Sequence, residues 1–166
     1  MTLLVTYNTN YGSTERYARE CARRHGTEAV PLDEAQAEAA EKIVVFSPNY
    51  AGQVAGAKWL LGHDVAGKKV ALAVVGMTLL EEVRAKDPIA AALGEKASEI
   101  TRFYLPGRLA YSELNRVHKG VMWGLNKMLK AKKNRTANEE AMYASYGTDE
   151  DRVDFAELDP IDAWLA

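Results

Sequence analysis

The hydrophobic positions fall into two regimes along the chain. Up to about residue 105, short apolar runs alternate with helix-patterned segments. Strands are predicted over residues 3–7, 27–32, 42–47, 69–75 and 101–105, the clearest being Ile43-Val44-Val45-Phe46 and Val70 through Val75. Helices are predicted over 13–25, where Gly26 supplies the stop, over 33–40 as a short turn, and over 87–100 with Pro88 in its first turn. Runs that are apolar at every position imply strands buried on both faces, the mark of a parallel sheet. Alternation with helices then gives right-handed crossovers and a doubly wound five-stranded α/β sheet. Ligands of such sheets bind beyond the carboxyl ends of the strands. The loops to watch are therefore 9–14, 47–52 and 76–82.

Beyond residue 107 the pattern changes. Residues 112–133 read as one amphipathic helix, ~33 Å long at 1.5 Å per residue. Leu114, Val117, Val121, Met122, Leu125, Met128 and Leu129 form its apolar stripe. Arg116, Lys119, Lys127, Lys130, Lys132, Lys133 and Arg135 form a cationic block, and no acidic residue occurs from Leu114 to Asn138. Three roles are open to this face: a solvated surface, an interfacial helix on an anionic membrane, or a dock for an anionic substrate or protein partner. A homodimer sharing the stripe is a further expectation. A last short helix over 160–165 presents Ile161 and Trp164.

Composition narrows the class. With 166 residues the chain is expected to form one domain, with about 107–150 as an inserted helical extension. A net charge of −2 argues against a nucleic-acid binder. The single cysteine, Cys21, excludes an intramolecular disulfide. The apolar run from Val70 to Leu80 falls short of the ~20 residues of a spanning helix, and no basic leader opens the chain. A cytoplasmic protein is the expectation, with peripheral contact to the inner face of a membrane if the basic helix provides it.

The first loop carries the most chemistry. Thr9-Asn10-Tyr11-Gly12-Ser13-Thr14 joins a buried strand to a helix N-terminus. Hydroxyls, free N–H groups and the helix dipole together make a phosphate cradle. The loop has neither the lysine of a nucleotide-triphosphate loop nor the three glycines of a dinucleotide fold. A terminal monoester fits it. The plain alternative is an ordinary helix cap by Ser13 or Thr14.

These residues resemble the FMN phosphate loop of flavodoxins. Phe46-Ser47-Pro48-Asn49-Tyr50-Ala51-Gly52 resembles that family's second flavin loop, and Lys68-Lys69-Val70 through Val75-Gly76 its fourth strand and third loop. The resemblance implies FMN as cofactor. Thr9, Asn10, Tyr11, Gly12, Ser13 and Thr14 would hold its phosphate. Pro48, Asn49, Tyr50, Ala51 and Gly52 would frame the ring, with Tyr50 stacking, and Gly76, Met77 and Thr78 would meet the ring edge. The tail, from Tyr104-Leu105-Pro106-Gly107-Arg108-Leu109 into the basic helix, and the closing stretch from Asp154-Phe155 to Trp164 resemble the branch that contains the menaquinone-dependent protoporphyrinogen oxidases. That branch implies hydride transfer from a reduced, anionic porphyrin-type substrate to flavin and reoxidation by a quinone.

The third loop lacks an aromatic cover and the chain is nearly neutral, which counts against the alternative of a flavodoxin electron carrier serving a redox partner protein. A fold that has lost the flavin is a further alternative, since Asn10 and Tyr11 stand where hydroxyl residues are common. The flavin would carry the chemistry; of the histidines, His118 is the candidate base, with a satisfied packing histidine as the plain alternative. His25 reads as a helix-end residue and His63 as part of a polar connection. Three scattered histidines and one cysteine give no metal-ligand spacing.

Overall fold

A computed structural model describes residues 2–50 and 52–166. Its centre is a five-stranded parallel sheet in the order β2-β1-β3-β4-β5. The strands are β1 (Leu3–Tyr7), β2 (Ala29–Pro31), β3 (Lys42–Pro48), β4 (Lys69–Gly76) and β5 (Ile100–Pro106). All five expected strands form, and every pairing is parallel. The continuous apolar runs explain why. In β3, Ile43 and Val45 face one layer while Val44 and Phe46 face the other. Helix α1 (Ser13–Arg24) and the closing helix α7 (Asp159–Leu165) cover the second face through Tyr17, Ala18, Cys21, Ile161 and Leu165. The first face is covered by α2 (Ala55–Gly62), α3 (Leu80–Lys86) and α4 (Ile89–Leu93) through Ala57, Leu60, Val83, Ile89 and Leu93.

Several helices differ from expectation. The segment 33–40 forms only a 3-10 turn at Leu32–Glu34. The single helix expected over 87–100 starts late and is broken once. Asp87 adopts φ 43 at the end of α3, and Gly94 at φ 57 ends α4, so a 3-10 turn over Gly94–Ser98 finishes the crossover. The third loop is shorter than expected, because α3 begins at Leu80.

In the extension, β6 (Arg108–Leu109) pairs antiparallel with β7 (Glu150–Asp151). Between them lie α5 (Arg116–Ala131) and α6 (Ala137–Ser145). Helix α5 is 16 residues, about 24 Å, rather than the longer rod expected over 112–133. Asn115 caps it, its side chain accepting from the His118 N–H at 2.8 Å, and a 3-10 turn at Tyr111–Glu113 precedes it. Helix α6 starts with a reciprocal capping box between Thr136 and Glu139.

Two tyrosines and one ion pair fasten the perimeter. The buried Tyr17 donates to the Pro106 carbonyl at 2.5 Å and accepts from the Asp154 N–H at 3.0 Å, tying the end of β5 to the C-terminal segment. Along the outer edge of β5, Arg102 forks onto Asp87, and the Tyr104 hydroxyl donates to the same carboxylate at 2.6 Å. The Arg102 guanidinium holds the Asp87 carboxyl below its ordinary range. A groove of about 640 Å³ runs beside this strand. The charged side chains there guard an edge that would otherwise invite pairing.

The approach of α2 to the sheet depends on Gly56. A Cβ at that position would lie 2.8 Å from both Ser47 Cβ and Val45 Cγ1. Gly56→Ala is therefore expected to destabilise the protein by about 1–3 kcal/mol through overpacking. Urea unfolding followed by circular dichroism measures it, and an unchanged midpoint would contradict this packing.

Candidate functional site

The carboxyl edge of the sheet brings three loops together. Strand β1 leaves the sheet at Tyr7, and the Asn8 N–H donates to the Phe46 carbonyl at 3.2 Å. The Ser47 hydroxyl donates to Asn8 Oδ1 at 2.6 Å and accepts from the Gly56 N–H at 2.9 Å. One buried hydroxyl thus joins the first loop, the end of β3 and the start of α2.

In the first loop, Thr9 Oγ1 accepts from the Gly12 N–H at 2.9 Å. Gly12 sits in the left-handed region at φ 93, where a side chain would be strained. Helix α1 then begins at Ser13 with no side-chain cap. The plain-cap alternative does not hold, since neither Ser13 nor Thr14 caps the helix. The N–H groups of its first turn are the unpaired donors that every α-helix leaves at its start, and the first to be used internally is that of Arg16, on the Gly12 carbonyl. Ser13 and Thr14 are buried at the base of the loop, whereas Asn10 is exposed. The nearby Glu15 carboxylate is occupied by Arg19 and the Tyr7 hydroxyl, and the Arg19 hydrogen bond holds its pKa down. A groove of about 570 Å³ opens on the β2 side of this loop, between Thr9, Leu32, Asp33 and Trp59.

The second loop is a tight turn. The Asn49 N–H donates to the Val75 carbonyl at 2.9 Å, and Tyr50 and Gln53 exchange backbone hydrogen bonds at 3.0 and 2.8 Å. Asn49 Oδ1 accepts from the Gly52 N–H at 2.9 Å, with Gly52 at φ 83. Pro48, Asn49 and Tyr50 are half-buried at the rim. Ala51, also expected in this loop, lies outside the described residues.

The third loop, with Gly76, Met77 and Thr78 half-buried, is held by the extension. The Gly107 N–H donates to the Gly76 carbonyl at 2.8 Å. Arg152 Nη1 donates to the Met77 carbonyl at 3.1 Å, and Asn138 Oδ1 accepts from the Leu79 N–H at 3.0 Å. Arg108 Nη1 donates to the Tyr11 carbonyl at 3.2 Å, clamping the first loop as well. Sequence reasoning missed Arg108, Asn138 and Arg152, because each acts on a residue far away in the chain.

The extension also delivers His118. Its Nδ1 shares a hydrogen bond with the Tyr11 hydroxyl at 2.5 Å, and its ring stacks on Tyr50 with centroids 5.0 Å apart and planes inclined by 22°. Tyr11 and Tyr50 complete the triangle at 5.8 Å. Burial, followed by the neighbouring Tyr11, pushes the Tyr50 phenol up to about 12, so it is a neutral phenol at physiological pH. The other two histidines lie elsewhere. His25 pairs with Asp162 at 2.8 Å, and His63 Nδ1 donates to the Trp59 carbonyl at 2.7 Å while its ring stacks on Trp59.

The apolar stripe of α5 behaves differently from expectation. Leu114, just before α5, and Leu129 are buried, but Val117, Val121 and Met128 are 72%, 53% and 70% exposed. The His118–Met122–Leu125–Leu129 side of α5 turns inward, and Val117, Val121 and Met128 face out.

A family model described as a flavodoxin domain matches residues 4–136. No curated protein matches the chain.

The Tyr11–His118–Tyr50 cluster fastens α5 to the sheet. A hydrogen bond and a ring stack are together worth about 1–3 kcal/mol. His118→Ala is therefore expected to speed tryptic cleavage at Arg116, Lys119 and Lys127 roughly tenfold, since 1.4 kcal/mol is a factor of ten in opening. Mass spectrometry of timed digests reads the sites, and unchanged cleavage would show that α5 is held by other contacts.

Proposed function

The chain belongs to the flavodoxin-domain family, and from that premise we propose that it is an FMN-dependent oxidoreductase that oxidises a reduced, anionic porphyrin-type substrate and passes the electrons to a quinone. The donors present fit the cofactor. An uncapped helix N-terminus behind Gly12, with Ser13 and Thr14 at its base, suits a phosphate monoester. Tyr50 offers a neutral aromatic face at the rim of the adjacent loop. When bound, FMN supplies two-electron chemistry, accepting hydride and giving up electrons to a second substrate.

One observation carries the enzymatic reading over the electron-carrier alternative: the extension reaches back across all three loops. Arg108 holds the first, His118 stacks on the second, and Asn138 and Arg152 hold the third. An electron carrier needs its ring edge open to protein partners. A covered edge instead lets the covering segment orient a small molecule and exclude water. There His118 is the candidate base: with its Nδ1–H donated to the Tyr11 hydroxyl, the other ring nitrogen, Nε2, can take the proton that leaves a substrate when hydride is removed.

The outward face of α5 supports the quinone half of the proposal. Val117, Val121 and Met128 line up with Gly124 between them, and Arg116 and Lys127 lie beside them along one side. Apolar residues edged by cations suit the surface of an anionic membrane, where lipid quinones dissolve. Among the described residues no helix is long and apolar enough to cross a membrane, so the contact would be peripheral, on the inner face. The same cations can meet substrate carboxylates.

The test uses FMN-loaded protein under anaerobic conditions with protoporphyrinogen and either a soluble or a vesicle-borne quinone. Quinone reduction is expected with both. His118→Ala should lower kcat by about 100-fold, the lower range for a lost general base. Replacing Val117 and Val121 by Glu should reduce turnover with the vesicle-borne quinone only. Single-electron exchange with protein acceptors, without quinone reduction, would overturn the proposal in favour of the carrier.

A further inference from the structure

A second cluster of donors lies at the far end of α1. Cys21 and His25 are four residues apart and so share one face of that helix. Asp162 of α7 packs against them. The Cys21 sulfur, a His25 ring nitrogen and an Asp162 carboxylate oxygen all lie within 4.8 Å of one another. The His25 Nε2 and Asp162 Oδ1 are already 2.8 Å apart. No metal spacing is visible in the order of histidines and cysteine along the chain, because the third donor arrives by tertiary packing from 137 positions away.

We propose that Cys21, His25 and Asp162 form a binding site for a zinc-class divalent cation, with water as the fourth ligand, that staples the closing helix to α1. One sulfur, one imidazole nitrogen and one carboxylate oxygen form a donor set suited to a borderline-soft tetrahedral ion. The surroundings prepare the carboxylate. Arg24 Nη1 donates to Asp162 Oδ2 at 2.6 Å, which fixes the carboxylate and leaves Oδ1 turned toward His25. Such outer partners orient ligands in metal sites. Arg24 is itself held by Glu20 and Asp159. The three carboxylates Glu20, Asp159 and Asp162 thus face two guanidinium groups, those of Arg23 and Arg24, and their negative excess favours a cation. His25 and Asp162 are partly exposed and form the mouth, while Cys21 is the buried floor.

Binding displaces the proton of the Cys21 thiol to solvent and leaves the remaining imidazole proton on Nδ1. No electrons move. The consequence is mechanical. Helix α7 is seven residues long and is already held by Ile161 and Leu165 in the core, by Arg24 on Asp159 and Asp162, by Lys69 Nζ donating to the Trp164 carbonyl and by Lys42 Nζ donating to the Leu165 carbonyl at 2.7 Å. A metal bridge would add a strong fastening at its first turn. The site lies roughly 14–20 Å along α1 from Gly12, so it acts independently of the proposed flavin site.

The experiment titrates the metal-stripped full chain with Co²⁺ and then displaces it with Zn²⁺. The expected result is a thiolate-to-cobalt charge-transfer band and intense tetrahedral d–d bands, saturating at one equivalent and erased by Zn²⁺. Cys21→Ser should lack the charge-transfer band, and His25→Gln should bind more than about tenfold more weakly, at least the loss that an outer-shell partner costs. Circular dichroism establishes that each variant is folded. Should Cys21→Ser unfold, the wild-type chain gives the same answer through slower modification of Cys21 by a thiol reagent when Zn²⁺ is present. Absence of the charge-transfer band in the wild-type chain, or unchanged affinity in His25→Gln, would overturn the proposal.

Discussion

The hydroxyl of Ser47 is the point on which the carboxyl edge of the sheet depends. It is buried at the end of the central strand β3, donates to Asn8 at the exit of β1, and accepts from Gly56 at the start of α2. A buried polar atom that lost either partner would bear a desolvation penalty of about 1–3 kcal/mol. The first loop, the second loop and α2 therefore keep their places together. Gly56 is part of the same constraint, because only a residue without a side chain lets its N–H come this close to Ser47.

On this rigid edge sits a looser structure. The sheet is buried on both faces, but α6 has no buried residue and α5 buries only Leu129. The extension is held instead by polar contacts to the loops: Arg108, Asn138, Arg152 and the His118–Tyr11 pair. Segments with few buried apolar contacts open at low free-energy cost. The extension can therefore part from the loops without unfolding the sheet. The exposed line of Val117, Val121 and Met128 belongs to the same extension.

The sheet was legible because strands buried on both faces must be apolar at every position, as 43–46 and 70–75 are. The first loop was legible because Gly12 and its hydroxyl neighbours fall between a strand and a helix. Helix α2 was not, because Ala-Gly-Ala-Lys-Trp-Leu-Leu-Gly is short and holds two glycines, so no helical period develops. The break at Gly94 is signalled locally, but the apolar run around it favours one continuous helix. The capping box of α6, Thr136 with Glu139, was a readable start signal. The holds on Met77 and Leu79 had none, since Arg152 and Asn138 reach those residues across 75 and 59 positions. The exposure of the α5 stripe has a similar cause: spacing shows that a face is apolar, not what covers it.

The central claim is that the first loop holds the phosphate of FMN. Comparing the affinities of FMN and riboflavin, which differ by that phosphate, tests it most directly, with flavin fluorescence quenching as the readout. Two hydrogen bonds to a charged phosphate are worth about 3 kcal/mol or more, so FMN should bind at least roughly 100-fold more tightly. Equal affinity for the two flavins, or binding of neither, would contradict the claim.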